Sequence, residues 1–214
     1  MIEKILENKS AYKSVLCLDG NLQCDLIKKI DLPVIAVDGA ANVLIKNGIE
    51  PEMIVGDLDS VDNELLHNRR HLKINSQDNT DFEKALDFVE EKSMTPSVIM
   101  GINGGCLDHI LGNISIFSRT KSVAVLDGMF FMAVDNYKIL HIPANTKISI
   151  FGMPGCLITS KGLKWELQNH YLSIAGKNSQ SNRTVSSQVE LKVSIGKALV
   201  FVYTELVLDA GSVS

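Results

Sequence analysis

Residues 53–60 read Met-Ile-Val-Gly-Asp-Leu-Asp-Ser, a short apolar run that ends in glycine and is followed by two aspartates. An apolar run of this length next to a glycine is typical of a buried strand in a parallel sheet. Ligands of such sheets bind beyond the carboxyl ends of the strands. Asp57 and Asp59 would there offer hard oxygen ligands suited to Mg²⁺. The alternative is an Asp-rich turn without a ligand, which this stretch alone favours.

Short apolar runs alternate with helical patterns through the first half of the chain. Strand-like runs occur at residues 14–18, 34–37, 53–56, 72–75 and 98–100. Helical patterns lie between or after them, at residues 22–30, 40–47, 62–68, from 81 onward and 107–117. This alternation predicts a parallel, doubly wound sheet with right-handed crossovers.

Past Lys121 the pattern changes to short strands. Residues 122–126 and 129–134 predict a hairpin around an Asp-Gly turn, and residues 189–195 alternate strictly between apolar and polar. We therefore expect two domains. The first, residues 1–135, is a parallel doubly wound α/β domain, and the second, residues 136–214, is an antiparallel β-sandwich.

Acidic residues recur at the same end of successive predicted strands. They are Asp38, Asp57, Asp59, Asp78, Asp81 and Asp108. Residues 1–135 hold 13 basic and 21 acidic side chains, whereas residues 136–214 hold 8 and 4. Such a distribution argues against a nucleic-acid surface on the first domain and suits recruitment of a divalent cation. Turn aspartates without a function would show no preference for one sheet edge.

Two helix starts are predicted near these acids. Thr80 and Glu83 have the spacing of a capping box, so Thr80 is expected to be an N-cap and Asp81 to lie in the first helical turn. Residues 101–105 form a glycine-rich loop before the next predicted helix, with neither the P-loop nor the GxGxxG spacing. Gly104 and Gly105 could still cradle an anion with backbone N–H groups.

That next helix is predicted to be amphipathic. Its apolar face is expected to hold Leu107, Ile110, Leu111, Ile114 and Phe117. His109 and Asn113, four residues apart, share a different face. His109 could contact phosphate, or it could be a capping or buried histidine.

Composition limits the class of protein and the cellular compartment that we expect. The chain has 214 residues, 45% of them hydrophobic, but no apolar run near the roughly 20 residues of a membrane span. Residues 1–9 are charged and lack the apolar core of a signal peptide. The four cysteines show no CxxC spacing, which makes zinc improbable. We therefore expect a cytoplasmic protein with no membrane partner and no nucleic-acid partner.

Six stretches resemble the thiamine pyrophosphokinase family, in the family's order and with similar spacing. They are Asp38-Gly39-Ala40-Ala41-Asn42, Gly56-Asp57-Leu58-Asp59-Ser60, Asp78-Asn79-Thr80-Asp81-Phe82-Glu83-Lys84-Ala85-Leu86, Gly104-Gly105-Cys106-Leu107-Asp108-His109, Gly162-Leu163-Lys164-Trp165 and Ser179-Gln180-Ser181-Asn182. The resemblance implies an α/β domain followed by a β-sandwich. It also implies Mg²⁺-dependent transfer of the pyrophosphoryl group of the co-substrate ATP to thiamine, releasing AMP, by a homodimer with its active sites at the subunit interface.

The resemblance also implies roles for individual residues. The catalytic acids would be Asp57, Asp59, Asp78, Asp81 and Asp108, with the first four holding the metal. Nucleotide contacts would come from Asp38, Asn42, Thr80, Gly104, Gly105, His109 and Asn113. Thiamine would be bound by Trp165, Ser181 and Asn182. Which carboxylate accepts the proton stays open.

The chain departs from the family pattern at two positions. Cys106 stands where the family usually has arginine, so one charged contact is missing or supplied elsewhere, and Ala40 replaces a glycine. Trp165, the only tryptophan, could stack on a thiamine ring or fill the sandwich core. Two rival functions are a Mg²⁺-dependent nucleotide hydrolase using the same acids and a nucleotide- or thiamine-sensing module without turnover.

Overall fold

The computed structural model describes residues 11–204, which divide into two units after Asp127. Two stretches with sequence-based predictions lie outside this range. They are residues 1–9, which lack the apolar core of a signal peptide, and residues 205–214 of the predicted second domain. Among the described helices, none has the length and apolar character needed to cross a membrane.

The first unit is a parallel α/β sheet. Its strands are β1 (Ser14–Cys17), β2 (Val34–Val37), β3 (Met53–Gly56), β4 (His71–Lys73), β5 (Ser97–Met100) and β6 (Val123–Leu126). Its helices are α1 (Cys24–Ile27), α2 (Ala40–Lys46), α3 (Asn63–Leu66), α4 (Asp81–Glu91) and α5 (Leu107–Phe117). The strand order is β4-β3-β2-β1-β5-β6, and every pair is parallel. The predicted alternation of strands and helices is confirmed.

The apolar runs form the strands because both faces of the central sheet are covered. Leu16, Ile35, Ile54 and Ile99 lie on four neighbouring strands and are fully buried. The chain leaves β1 toward β2 on one side and later returns to β5 on its other side. The loops after β1 and β5 therefore flank the point where strand order reverses, and the loops after β2 and β3 lie at the same sheet edge.

The second unit is an antiparallel β-sandwich, as predicted. Its strands are β7 (Met129–Val134), β8 (Tyr137–His141), β9 (Lys147–Lys161), β10 (His170–Ser173), β11 (Ser179–Arg183) and β12 (Gln188–Tyr203). The first part of β12 pairs with β8 and the last part with β7, and β9 pairs with β12 along most of its length. β10 and β11 pair with different parts of β9. Long strands that change partners in this way pass from one layer to the other.

The predicted alternation in residues 189–195 holds only in part. Val189, Leu191 and Val193 are buried, but Ile195 is 64% exposed. The register of β12 against β9 shifts between Val193 and Ile195. Because side chains alternate with a period of two, this bulge turns Ile195 to the opposite face from the one predicted.

The boundary between the units differs from the predicted position at residue 135. β6 pairs in parallel with β5 and belongs to the first unit, while β7 pairs with β12 and belongs to the second. The Asp127-Gly128 turn, predicted to be inside the first domain, is therefore where the two units divide. Two short apolar strands on either side of a turn give no sequence signal for which unit each one joins.

The predicted apolar face of α5 is buried only toward the end of the helix. Leu107 is 71% and Leu111 is 55% exposed, whereas Ile116 and Phe117 are buried. Helical periodicity identifies an apolar face but not the surface that covers it. Among the described residues, none covers Leu107 and Leu111 enough to bury them, while Phe117 at the end of the same face is buried.

Candidate active site

Three carboxylates meet at the carboxyl edge of the parallel sheet. Asp38 follows β2, Asp57 follows β3, and Asp81 opens α4. One oxygen from each lies within 4.8 Å of the other two, which makes this acidic cluster a candidate metal site. Adjacent parallel strands bring their ends together, so the cluster follows directly from the order β3-β2.

Asp38 is the buried member of the acidic cluster. Its side chain is 8% exposed, and its Oδ1 has no hydrogen-bond partner among the described residues. Burial raises the pKa of Asp38, and the negative charges of Asp81 and Asp57 raise it further. The residue adopts a left-handed backbone conformation with φ of 45°, which aspartate tolerates better than most residues. A buried, unpartnered carboxylate oxygen beside two other acids is well suited to a cation.

Asp57 belongs to a tight loop after β3. Its Oδ1 accepts a hydrogen bond from the Asp59 backbone N–H at 3.2 Å, and its Oδ2 accepts one from Gln77 Nε2 at 3.3 Å. The Asp59 N–H is the main reason that the pKa of Asp57 is lowered. Leu58, between the two aspartates, has φ of 63°, an unfavourable conformation for a bulky residue. The loop therefore keeps Asp57 ionised at some cost in backbone strain.

Asp81 links the loop after β3 to helix α4. Its Oδ1 accepts hydrogen bonds from the Asp57 backbone N–H at 3.1 Å and from Lys84 Nζ at 2.9 Å. Lys84 is 4% exposed and lies one turn further along α4. These two donors fix the orientation of the Asp81 carboxylate.

Three other predicted acids lie outside the acidic cluster. Asp59 is exposed, and its Oδ1 accepts a hydrogen bond from the neighbouring Ser60 hydroxyl at 2.9 Å. Asp78 is exposed in the loop before α4 and accepts a hydrogen bond from Ser76 at 3.1 Å. Asp108 lies exposed in the first turn of α5. The structure thus brings together Asp57 and Asp81 of the predicted metal set and adds Asp38.

Asn42 and Thr80 use their polar atoms to hold the loops around the acidic cluster. The Asn42 side chain donates to the Ser60 carbonyl at 2.8 Å and accepts from the Asp62 backbone N–H at 3.0 Å. Thr80 caps α4, and the capping box predicted with Glu83 is confirmed. Asn42 thereby ties α2 to the loop that carries Asp57, and Thr80 fixes the start of the helix that carries Asp81.

The glycine-rich loop packs against the loop after β1, at the point where strand order reverses. A Cβ on Gly101 would lie 2.2 Å from the Leu18 carbonyl oxygen, and Gly104 is similarly close to Asn21. Gly104 and Gly105 have φ of 111° and 71°, values that favour glycine. Cys106, the N-cap of α5, makes no side-chain capping hydrogen bond with the described residues. The first N–H groups of α5 are therefore available to an anion.

His109 and Asn113 follow on α5. His109 is exposed, and Asn113 is half-buried with its amide 3.5 Å from the Ile102 carbonyl oxygen. His109 is thus not the buried histidine considered from the sequence. The weak contact of Asn113 leaves most of its hydrogen-bonding capacity for other groups.

In the sandwich unit, Trp165 is 56% exposed, so it does not fill the core. Asn182, 1% exposed, accepts from the Trp165 backbone N–H at 3.1 Å and donates to its carbonyl at 2.7 Å. Lys164 Nζ lies 4.7 Å from the centre of the Trp165 ring. Asn182 therefore holds the backbone of Trp165 in place while the indole stays accessible.

Ser181 lines a cavity of about 400 Å³ in the same unit, together with Met129, Ser149, Phe151, Gln180, Phe201 and Tyr203. Its backbone N–H donates to Ser149 Oγ at 3.0 Å, and its φ is 54°. The rings of Phe151 and Phe201 meet edge to face with centroids 5.6 Å apart. The cavity combines aromatic walls with hydroxyl and amide groups, as small-molecule sites do.

Sequence reasoning gave no role to Lys84 or Asp19. Lys84 has the i, i+3 spacing from Asp81 that permits a side-chain pair, which is the signal for it. Asp19 follows β1 in an Asp-Gly pair, as Asp38 follows β2. A Cβ on Gly39 would lie 2.4 Å from Asp19 Oδ2, so Asp19 packs against the loop that holds Asp38.

Comparison with known proteins matches both units. Residues 24–126 match the catalytic domain of thiamin pyrophosphokinase, and residues 136–200 match its vitamin B1 binding domain. Thiamin pyrophosphokinase 1 of Caenorhabditis elegans is 30% identical over 188 residues, 78% of this chain and 76% of that protein. Two rice thiamine pyrophosphokinases are each 28% identical, and the matched regions span 60% and 59% of their lengths.

Solved structures share the fold. Thiamine pyrophosphokinase from Bacillus subtilis superposes with a TM-score of 0.77 at 23% identity, covering 91% of this chain and all of that one. The yeast enzyme has a TM-score of 0.79 at 18% identity and covers 95% of this chain and 89% of its own. With both of its units matched and a relative aligned over three quarters of each chain, this protein belongs to the thiamine pyrophosphokinase family.

Proposed function

We propose that the protein is a thiamine diphosphokinase, which transfers the pyrophosphoryl group of ATP to the hydroxyl of thiamine. The observation that carries the proposal is the convergence of Asp38, Asp57 and Asp81 within 4.8 Å in a chain of this family. Phosphoryl transfer depends mostly on positioning and on neutralising polyphosphate charge. In this reaction the thiamine hydroxyl oxygen bonds to the β-phosphorus, the bond from that phosphorus to the α-phosphate oxygen breaks, and AMP leaves.

The acidic cluster fits Mg²⁺. Its ligands are carboxylate oxygens, the donors this cation prefers, and the buried Asp38 Oδ1 has no hydrogen-bond partner among the described residues. We assign Asp38, Asp57 and Asp81 as the residues that hold the ion, with Asp59 and Asp78 in the adjacent exposed loops as ligands that complete the site when substrate is bound. Bound Mg²⁺ would neutralise phosphate charge and polarise the β-phosphorus.

Phosphate contacts are assigned to the glycine-rich loop. Gly104 lets this loop pack closely against Asn21, Gly105 leaves the backbone open, and the uncapped first N–H groups of α5 can bind an anion. We assign nucleotide contacts to His109 and Asn113 on α5, and to Asn42 and Thr80 the positioning of the acidic loops. The proton of the thiamine hydroxyl passes to one of the carboxylates at this edge of the sheet, either in the acidic cluster or in the neighbouring loops, or to Asp108 on α5.

Thiamine binding is assigned to the sandwich unit. Thiamine is a cation with two aromatic rings, and an exposed indole held by its backbone suits such a ligand. Ser181 adds a polar group from the wall of the aromatic cavity, and Asn182 acts by holding Trp165. The acidic unit and the sandwich unit, which divide after Asp127, would thus bind ATP with Mg²⁺ and thiamine respectively.

We further propose a cytoplasmic homodimer with the active site at the subunit interface. Leu107 and Leu111 expose an apolar face directly after the phosphate loop, which a second copy would cover. All four cysteines lie in the described region and are free thiols, as expected in a reducing compartment. We assign no nucleic-acid or membrane partner.

Thiamine dependence of ATP consumption tests the proposed activity. The purified full chain with ATP and Mg²⁺ is expected to form AMP when thiamine is added, at a rate at least about tenfold above the rate without it. The measurement is chromatographic quantification of AMP with and without thiamine. Equal nucleotide consumption in both samples would instead establish the hydrolase, and binding of both ligands without turnover would establish the sensing module.

A further inference from the structure

We propose that Lys84 is a positioning residue that sets both the orientation and the net charge of the acidic cluster. This inference rests on the proposed metal site. Lys84 is 4% exposed, and its Nζ lies 2.9 Å from Asp81 Oδ1. A lysine this buried does not reach a substrate, so its effect on the reaction must pass through the carboxylate that it contacts.

The contact fixes Asp81 from the protein side. Asp81 Oδ1 accepts hydrogen bonds from Lys84 Nζ and from the Asp57 backbone N–H. These two hydrogen bonds connect α4 to the loop after β3. With two donors on Oδ1, the Asp81 carboxylate keeps a fixed orientation, and its Oδ2 is left for a ligand. Loss of Lys84 would free Asp81 to rotate and would loosen its link to Asp57.

The Lys84 ammonium also partly neutralises the negative charge of the acidic cluster. Three carboxylates within 4.8 Å repel each other, and Lys84 is the buried cation paired with one of them. Because the same positive charge repels a bound cation, Lys84 is expected to weaken metal binding while it keeps the empty cluster in its working geometry.

This dual role predicts opposite changes in metal affinity and turnover. Lys84→Met keeps a long apolar stem beside Ile74 and Phe88, which line the same small cavity, but removes the charge. Asp81 is 31% exposed, so water can solvate its carboxylate in place of the ammonium and the variant can fold, but water does not fix the carboxylate's orientation. We expect Mn²⁺ to bind the variant about tenfold more tightly than wild type. We expect kcat to fall about 100-fold because the carboxylate is no longer held.

The experiment measures Mn²⁺ binding to the full chain without substrates by electron paramagnetic resonance, with kcat measured in parallel. Lys92→Met is the matched control, because Lys92 pairs with Glu91 at 2.8 Å next to the same helix but is half exposed. Lys92→Met should have the same Mn²⁺ affinity and the same kcat as wild type. Lys84→Gln, which keeps a donor without the charge, should tighten Mn²⁺ binding with a smaller loss of kcat. Lys84→Arg should return the Mn²⁺ affinity toward that of wild type.

The outcomes separate this inference from the proposed function. If wild type binds no Mn²⁺, the proposed metal site itself fails. If wild type binds Mn²⁺ and Lys84→Met binds it equally or more weakly, the role of Lys84 is overturned while the metal site stands. Should Lys84→Met fail to fold in a thermal unfolding assay, the comparison of Lys84→Gln with Lys84→Arg decides the same question.

Discussion

Asp57→Asn is expected to lower kcat by about 10³-fold while leaving the fold intact. Asp57 forms the acidic cluster with Asp38 and Asp81, and its lowered pKa keeps it charged at neutral pH. Asparagine has nearly the same shape and keeps an acceptor for the Asp59 N–H, but it removes the charge that would attract Mg²⁺. The measurement is kcat for AMP formation, with circular dichroism and thermal unfolding to show that the variant is folded.

Asp62→Asn is the matched control for this substitution. Asp62 is an exposed aspartate five residues further along the same loop region, outside the acidic cluster, and its side chain makes no capping hydrogen bond with the described residues. Its kcat should stay within about twofold of wild type. Near-normal turnover of Asp57→Asn would contradict the assigned metal role.

Trp165→Ala is expected to raise the KM for thiamine about 20-fold and to change the KM for ATP little. The indole is 56% exposed, and Asn182 holds its backbone rather than its ring. Truncation therefore removes a stacking surface without opening a core cavity. The measurement is a pair of substrate titrations, one with thiamine varied and one with ATP varied.

Tyr137→Ala serves as the control for loss of an exposed aromatic ring. Tyr137 lies on β8 of the same unit with 54% of its surface exposed, close to the value for Trp165. Both KM values should stay unchanged in this variant. Equal increases in the two KM values of Trp165→Ala would indicate a structural role for the tryptophan instead.

The parallel sheet was predictable because its apolar runs are short, bounded by turn residues and separated by helical patterns. The position of the acids at one edge followed from this order, since adjacent parallel strands end together. Which acids form the acidic cluster could not be predicted from the strand order. Asp59 and Asp57 are two residues apart, yet only Asp57 joins the cluster, because the loop turns through Leu58 in a left-handed conformation.

Burial was harder to predict than secondary structure. Helix α5 lies at the predicted residues, but Leu107 and Leu111 of its apolar face are exposed because periodicity does not say what covers a face. Ile195 is exposed because a bulge in β12 interrupts the alternation. Lys84 was missed for a related reason: the spacing to Asp81 is visible in the sequence, but a buried ion pair and an exposed one have the same spacing.

The fate of the β-phosphorus of ATP tests the central claim most directly. The full chain is incubated with thiamine, Mg²⁺ and ATP labelled at the β-phosphorus, and the products are separated. We predict that the label appears in thiamine diphosphate, with one unlabelled AMP formed per labelled product. Label in ADP would show transfer of the γ-phosphoryl group, and label in free pyrophosphate regardless of thiamine would show hydrolysis; either result would contradict the proposed reaction.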